Sequence, residues 1–535
     1  MRPLVSRSLA LCAVLCLGGC ATTSQTAPEA PPPQAEQAQA PAEPQAPASV
    51  PVAVEPLERP EPLRLIVQAN PVSPIVSFRL VFHAGSVDDP KGKEGLTSLT
   101  ADLLAEGGTQ SLTSAQLLEA LFPMAAELSS STDKEFTVFA GRVHKDHLSR
   151  FLDIFTDVLL KPRLSPQEFE RLRARALSDV RNGLRSENDE LLGKVALDAL
   201  LYQGHPYAHF VGGTEKGLES LTLEDVKAHA ARVFTQDRLV IGLAGPVDEA
   251  LQKTVVSRLS AFPATGAPRV ELPAVPATGG RALVVQKPTL STAVSMGYVT
   301  PLRRGNPDFF AVSLALSYLG EHRQSSGVLF NELREKRGLN YGDYAYAEHF
   351  IEQPGTTYNR TNIARTQQDL TLWIRPVVPA NGVFATRGTV YFFDRLVKQG
   401  IPQDKFELSR GFLLGYTRLW EQTDQRRLGY AIDSLFYGTP GFLEEYRAAL
   451  AKMTPESVNA AVRRQLRPEA LNFAFVTQDA QELARNLEEQ PPSPITYASA
   501  KPPALLEDDK AISTWTLPIQ AEAIQVVQAQ SFMEK

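Results

Sequence analysis

The 535-residue chain is short of cysteine. Three occur, Cys12, Cys16 and Cys20, all within the first twenty positions. Everything beyond Cys20 therefore lacks a thiol for a disulfide, a cysteine metal site or a cysteine nucleophile. Histidine is also sparse, with eight residues. Long basic runs are missing and the formal charge is −6, so nothing supplies the electrostatic footprint of a nucleic-acid binder. No apolar run approaches the ~20 residues of a comfortable membrane span.

What is present at the N-terminus is an address. Arg2 and Arg7 form a positive region, residues 9–17 are apolar, and Leu17-Gly18-Gly19-Cys20 follows. This reads as a signal peptide over 1–20 ending in a bacterial lipobox. Cys20 is then the lipidated first residue of the mature chain; the alternative is an ordinary signal peptide with a coincidental cysteine. Several acyl chains on one residue anchor firmly. Ala21, where an inner-membrane retention signal would have aspartate, favours an outer-membrane lipoprotein facing the periplasm. Residues 21–62 are rich in Pro, Ala, Gln and Glu. They bury too little apolar surface to fold and read as a disordered tether.

The remainder reads as two similar units, 63–262 and 281–490, joined by a Pro/Gly/Ala-rich linker over 263–280 and followed by an extension over 491–535. In the first unit strands are expected at 63–67, 75–84, 135–143 and 239–244. Helices are expected at 96–105, 114–122, 148–160, 166–185 and 223–233. Ser165-Pro166 and Thr222-Leu223-Glu224-Asp225 are helix starts, with a hydroxyl cap followed by proline or by acidic first-turn residues. The second unit repeats the order, with strands at 293–299, 370–377 and 472–477 and helices at 308–319, 388–399, 403–420 and 454–465. Both units are α+β, with helices expected on one face of each sheet. The stretch 517–532 is compatible with either a strand or a helix.

The expected strand over 75–84, the loop Gly85 to Gly92 and the helix opening at Gly95-Leu96-Thr97-Ser98-Leu99-Thr100-Ala101-Asp102 resemble the active-site segment of the M16 (pitrilysin-like, inverzincin) metallopeptidases. That family carries H-x-x-E-H there: two zinc-binding histidines and a glutamate general base. Here Ser98 and Asp102 stand at the histidine positions and Ala101 at the glutamate. Asp179, within Arg171 to Asp179, stands at the later third ligand. A catalytic zinc needs three ligands and an open position for water. A hydroxyl competes weakly with imidazole, and a methyl cannot take a proton. Asp102 and Asp179 could face each other and hold a hard cation weakly, or be solvated or salt-bridged.

Further motifs match the same family. They are Gly204-His205-Pro206-Tyr207, Gly213-Thr214, Leu221 to Val226, Leu239 to Asp248, and Phe330-Asn331-Glu332-Leu333-Arg334-Glu335-Lys336-Arg337-Gly338-Leu339-Asn340-Tyr341. The resemblance implies two homologous M16-like (LuxS/MPP-like) α/β sandwich domains forming a clam-shell. It also implies that Arg334 and Tyr341 face the zinc across a chamber and bind the peptide or its developing oxyanion. The bland alternative pairs Arg334 with Glu332 and packs Tyr341.

Some bacterial members of the family are heterodimers, in which one subunit keeps H-x-x-E-H and the other keeps only the Arg/Tyr pair. This chain fits the second kind. The expectation is a non-catalytic subunit of a periplasmic zinc peptidase, with no cofactor of its own. Zinc would lie on a partner that carries H-x-x-E-H, and the substrate would be peptide or unfolded protein. Two alternatives stay open: a self-sufficient metallopeptidase with an atypical metal site, and a peptide-binding or structural lipoprotein. The remaining histidines offer no clear replacement site. His144 and His147 read as a solvated helix start, His205 and His209 flank Pro206 in a loop, His83 lies on a strand, and Ala345 to His349 imitates the motif by coincidence.

Overall fold

The computed structural model describes residues 51, 52, 57, 61–321 and 325–534. The signal peptide, Cys20 and most of the tether lie outside them. In chain order the first half contains β1 (Pro51–Val52), β2 (Arg64–Ala69), β3 (Ile75–Phe82), α1 (Leu96–Glu106), α2 (Ser114–Leu121), β4 (Glu127–Thr132), β5 (Thr137–His144), α3 (Leu148–Leu160), α4 (Pro166–Ser178), α5 (Asp189–Leu201), α6 (Glu215–Ser220), α7 (Leu223–Val233), β6 (Leu239–Gly245) and α8 (Glu249–Leu259). The second half contains β7 (Val275–Pro276), β8 (Ala282–Gln286), β9 (Thr292–Thr300), α9 (Phe309–Gly320), β10 (Asp343–Tyr346), β11 (Gln368–Val377), α10 (Gly382–Gln399), α11 (Gln403–Leu419), α12 (Asp424–Tyr437), α13 (Phe442–Lys452), α14 (Pro455–Gln465) and β12 (Asn472–Thr477). Beyond it come α15 (Ala480–Glu489), α16 (Pro503–Ser513) and β13 (Ile524–Gln528).

The capping signals act where the sequence places them. Ser165 Oγ accepts the Glu168 N–H at 3.2 Å to open α4, and Thr222 and Asp225 form a reciprocal box at the start of α7. Each spares helix-end groups that would otherwise lack a partner.

The two main sheets repeat one topology. The first runs β2-β6-β3-β5-β4, and the second runs β10-β11-β9-β12-β8-β13. Reversed, the second reads β8-β12-β9-β11-β10 with β13 added. In both halves the first strand is parallel to the last, and the strand between them in sequence is antiparallel to it. The addition comes from the C-terminal extension: β13 pairs in parallel with β8, so 524–528 is strand. The short β1 pairs with β7, which ties a piece of the Pro/Ala-rich segment to the linker.

The expectation of helices on one face only needs correction. Period-2 alternation gives each strand two apolar faces, and both are covered. In the first sheet Phe78, Leu80, Phe82, Ile241 and Leu243 face the half's own helices. Val81, Val240 and Ala244 instead meet Leu428, Ile432 and Phe436 of α12, a helix of the second half. In the second sheet Val284, Val294 and Phe475 face local helices. Val285, Ala293 and Val476 meet Leu192, Val195 and Leu197 of α5, a helix of the first half. The halves thus exchange a helix each. Burying each large side chain of α5 and α12 contributes roughly 1.5–3 kcal/mol, far more than a surface ion pair. Contact is close: a Cβ on Gly242 would come within 2.9 Å of Ile432 Cδ1.

Candidate functional site

The start of α1 is fixed by a buried anion. Gly95, at φ +102°, lies against Gly213, where a Cβ would meet the Gly213 Cα at 2.9 Å. Asp89 accepts the N–H groups of Gly95 and Thr97, both at 2.7 Å, and the Thr97 hydroxyl at 2.6 Å. A carboxylate is favourable there because the helix N-terminus carries partial positive charge. Thr97 Oγ1 in turn lies 2.8 Å from His229 Nε2, and His209 Nε2 lies 3.4 Å from Asp89. Burial pulls the His229 imidazole down to about 4. These two histidines serve the cap of the helix.

One turn further, the degenerate positions take separate fates. Ser98 is half-buried, and Ala101 is 1% exposed and packs in the core between sheet and helices. The Asp102 carboxylate accepts the Ser130 hydroxyl at 2.8 Å and Arg175 Nη2 at 3.0 Å. Arg175 also donates two 2.8 Å bonds to Glu106. Burial raises the Asp102 carboxyl, and the Ser130 and Arg175 contacts oppose that rise. Of the two arrangements open to Asp102 and Asp179, the structure shows the salt-bridged and solvated one and not the facing pair. The charged partner of Asp102 is Arg175, one helical turn before Asp179. Asp179 stands exposed where α4 gives way to a wider π turn over Asp179–Glu187. The helix expected over 166–185 is thus α-helical only to Ser178, and neither Arg175 nor Ser130 carries a local signal for this contact.

These residues do not fit a zinc ion. One position offers a hydroxyl and one a buried methyl. The remaining carboxylate is already neutralised by a guanidinium that a cation would have to displace. Among the described residues no group of three or more His, Cys, Asp or Glu side chains converges as a metal cage.

Ser130 belongs to β4, a strand the sequence reading did not find. Its Glu-Leu-Ser-Ser-Ser-Thr run has no aromatic residue and a single β-branched one, Thr132, where a marked strand would have several. Its Leu128 and Ser130 are half-buried while Glu127 and Ser129 are exposed. It is the edge of the first sheet, beside α1. An edge strand presents unpaired backbone groups that an extended peptide can join.

The second-half motif is arranged differently. Arg334 lies in a π-helical turn over Phe330–Glu335, and Gly338, at φ +67°, closes the turn with its N–H on the Arg334 carbonyl. Glu332, the acid considered as its partner, is taken by Lys336 and Arg337. Arg334 stacks on Phe330 at 4.6 Å and on Tyr341 at 4.8 Å, with Glu335 at 3.5 Å. Tyr341 is 66% exposed, so the packed alternative does not describe it. A second guanidinium, Arg375 of β11, lies 5.4 Å from the same ring and 3.6 Å from Glu190 of α5. The sequence carried no signal for Arg375, which reaches Tyr341 only through sheet pairing.

The halves are also locked by buried polar contacts. Arg365 donates to both oxygens of Asp133 at 3.1 Å, and Thr366 N–H donates to Glu135 at 2.5 Å. Tyr207, of the His-Pro-Tyr motif, donates to the same Glu135. Burial alone would raise the Asp133 carboxyl, but Arg365 more than offsets it and holds it near 2. His205 Nδ1 accepts the Tyr207 N–H at 3.0 Å. The motif is part of the seam between halves.

The family described as Insulinase (Peptidase family M16) matches residues 64–215, and the one described as Peptidase M16 inactive domain matches 220–370. The chain belongs to the M16 family. An uncharacterized zinc protease of Mycobacterium bovis is 24% identical over 415 residues, which cover 76% of this chain and 89% of the relative. The non-peptidase homolog YmxG of Helicobacter pylori is 22% identical over 419 residues, 77% of this chain and 91% of the relative. Among solved structures, a peptidase M16 inactive domain from Pseudomonas fluorescens superposes with a TM-score of 0.68 at 22% identity, covering 79% of this chain and 98% of that one. A protease from Helicobacter pylori gives 0.65 at 15% identity, with coverage of 79% and 99%. These structural likenesses establish the fold.

Proposed function

We propose that this M16 chain is the non-catalytic subunit of a heteromeric periplasmic zinc peptidase, held to the outer membrane through Cys20. The observation that carries the reading is the contrast between its two motif sites. At the first, Ala101 is buried and Asp102 is neutralised by Arg175, so no metal ligand set and no base remains. At the second, Arg334 and Tyr341 stay together at an exposed position. A guanidinium fork can hold a peptide carbonyl and a phenol can donate to an oxyanion. The partner subunit would carry H-x-x-E-H and the zinc, and this chain would add substrate contacts and a strand edge at β4 for unfolded peptide.

The test mixes the purified chain with a co-purified H-x-x-E-H subunit and follows cleavage of an unstructured peptide. The chain alone is expected to be inert and the pair faster than the partner alone. Metal-dependent cleavage by this chain alone, abolished in Asp102→Ala, would transfer the assignment to a self-sufficient hydrolase. A partner rate indifferent to this chain would leave a peptide-binding or structural lipoprotein.

A further inference from the structure

A cavity of about 380 Å³ lies at the seam, between α5, the loop around Phe210 and strand β11. Its walls are mainly apolar, from Val195, Leu197, Phe210, Phe350, Leu372 and Trp373. Its floor is charged and almost completely buried: Lys134 is 2% exposed, Arg365 1% and Asp369 0%. A pocket of this size with an apolar wall and a few fixed polar groups is the usual form of a small-ligand site.

The charges on the floor do not balance. Arg365 is committed to Asp133 by its two 3.1 Å bonds, and its Nη1 stays 3.9 Å from Asp198. The imidazole of His349 accepts from Arg365 at 2.8 Å and is kept neutral by burial and by that guanidinium. Arg365 and Lys134 are thus two cations facing three carboxylates, Asp133, Asp198 and Asp369, and Lys134 also donates to the His209 carbonyl at 2.5 Å. Asp369 takes the Tyr202 hydroxyl on Oδ1 at 2.8 Å, while Oδ2 has no hydrogen-bond partner. Burial and the neighbouring Asp198 both push the Asp369 carboxyl up. Toward the mouth, Glu190 is shared by Lys194 and Arg375, Lys194 lies 3.8 Å over the Trp373 ring, and Glu352 is exposed. A buried carboxylate oxygen without a partner is costly, and a positive group would satisfy it.

We propose that this cavity binds an alkylammonium: a positive head on Asp369 and Asp198, with its apolar stem along Leu197, Leu372 and Phe350. A peptide could supply that chemistry from a lysine side chain or from its free N-terminus with an adjoining apolar residue. Only the peptide origin of the guest rests on the chamber reading; the cavity's preference for an ammonium does not. The cavity also joins the two faces already described. Thr132 at the end of β4 lines it, and Glu190 connects its mouth to Arg375 and Tyr341.

The test is calorimetric titration of the full chain with n-pentylammonium and with 1-pentanol, which share a stem and differ in charge. The ammonium is expected to bind at least tenfold more tightly, and Asp369→Asn, which keeps the size and the acceptor for Tyr202, is expected to erase the difference. Two competitor peptides separate the sources: an N-acetylated one with a central lysine, and a lysine-free one with a free N-terminal leucine. Displacement by one names the source. Equal affinity for amine and alcohol in the wild-type chain overturns the proposal whatever the variant does, as does an Asp369→Asn protein of unchanged melting temperature that keeps the preference. The partner-activation assay is independent: loss of ammonium binding with activation intact fails the cavity alone, and the reverse fails the chamber reading alone.

Discussion

The two motif regions, on α1 and around Tyr341, differ in how their polar groups are satisfied. On α1 the carboxylate is closed off from within: Ser130 and Arg175 take both oxygens of Asp102, and Ala101 belongs to the core. Around Tyr341 it is the ring that is left exposed, with Arg334 and Arg375 resting on it and paired to Glu335 and Glu190. A polar group withdrawn from water must find a partner or be desolvated at a cost. A group still needed for an external ligand must stay accessible. The first region shows internal satisfaction and the second shows accessibility.

The largest effect is expected at the seam that holds the two regions in register. Arg365→Ala leaves Asp133 buried without its partner and should cost about 3–5 kcal/mol of stability, read from chemical denaturation. A loss below 1 kcal/mol would mean that the exchanged helices alone set the register. Next comes the open region. Arg334→Ala should reduce the rate gain given to an active partner by about a hundredfold, with unchanged melting temperature; an intact gain removes Arg334 from the site.

A smaller effect lies just behind Tyr341. Asp343 is buried with Asn340 as its donor at 2.6 Å, and burial pushes its carboxyl up to about 7. The folded carboxyl therefore holds its proton above the unfolded range. The stability this adds is complete below pH ~4 and is lost as pH rises through about 7. Asp343→Asn should flatten that decline and add about 2 kcal/mol at pH 8; a parallel pH profile would mean the group is ionised throughout. The smallest effect is at the closed region. Arg175→Ala uncovers Asp102 and Glu106, and because the guanidinium is well exposed the loss should stay under about 1 kcal/mol with partner activation untouched. Reduced activation in that variant would show that the closed face also contacts substrate or partner.

Much of this was legible in the residues, and the gaps have physical causes. Helices α3 and α7 and strand β12 run where hydrophobic period and caps place them. The two exchanged helices, α5 and α12, carry no local signal of their exchange. In α5 apolar residues occupy most of the circumference, as a helix buried on several sides requires, so there is no clean stripe to read. Only four residues separate α12 from α11, and its target is a sheet whose strands lie roughly 180 to 360 residues upstream, which no local signal encodes. Asp179 was placed by family spacing, but the π turn that begins there alters which side chains share a face with α1, and Arg175 takes the contact. The positions of Ser98, Ala101, Arg334 and Tyr341 follow from the motifs. The opposite exposures of Ala101 and Tyr341 follow from packing.

The exchange of helices also sets a timetable for synthesis. The first sheet is complete in sequence at Gly245, yet the helix that covers its second face begins at Asp424. At ~5–20 residues per second of chain growth, Val81, Val240 and Ala244 wait roughly ten to forty seconds for their cover. Through that interval the nascent chain displays a sheet with one sticky face. Folding of the first half is thereby coupled to completion of the second, in a way that it would not be in a molecule of two self-contained halves.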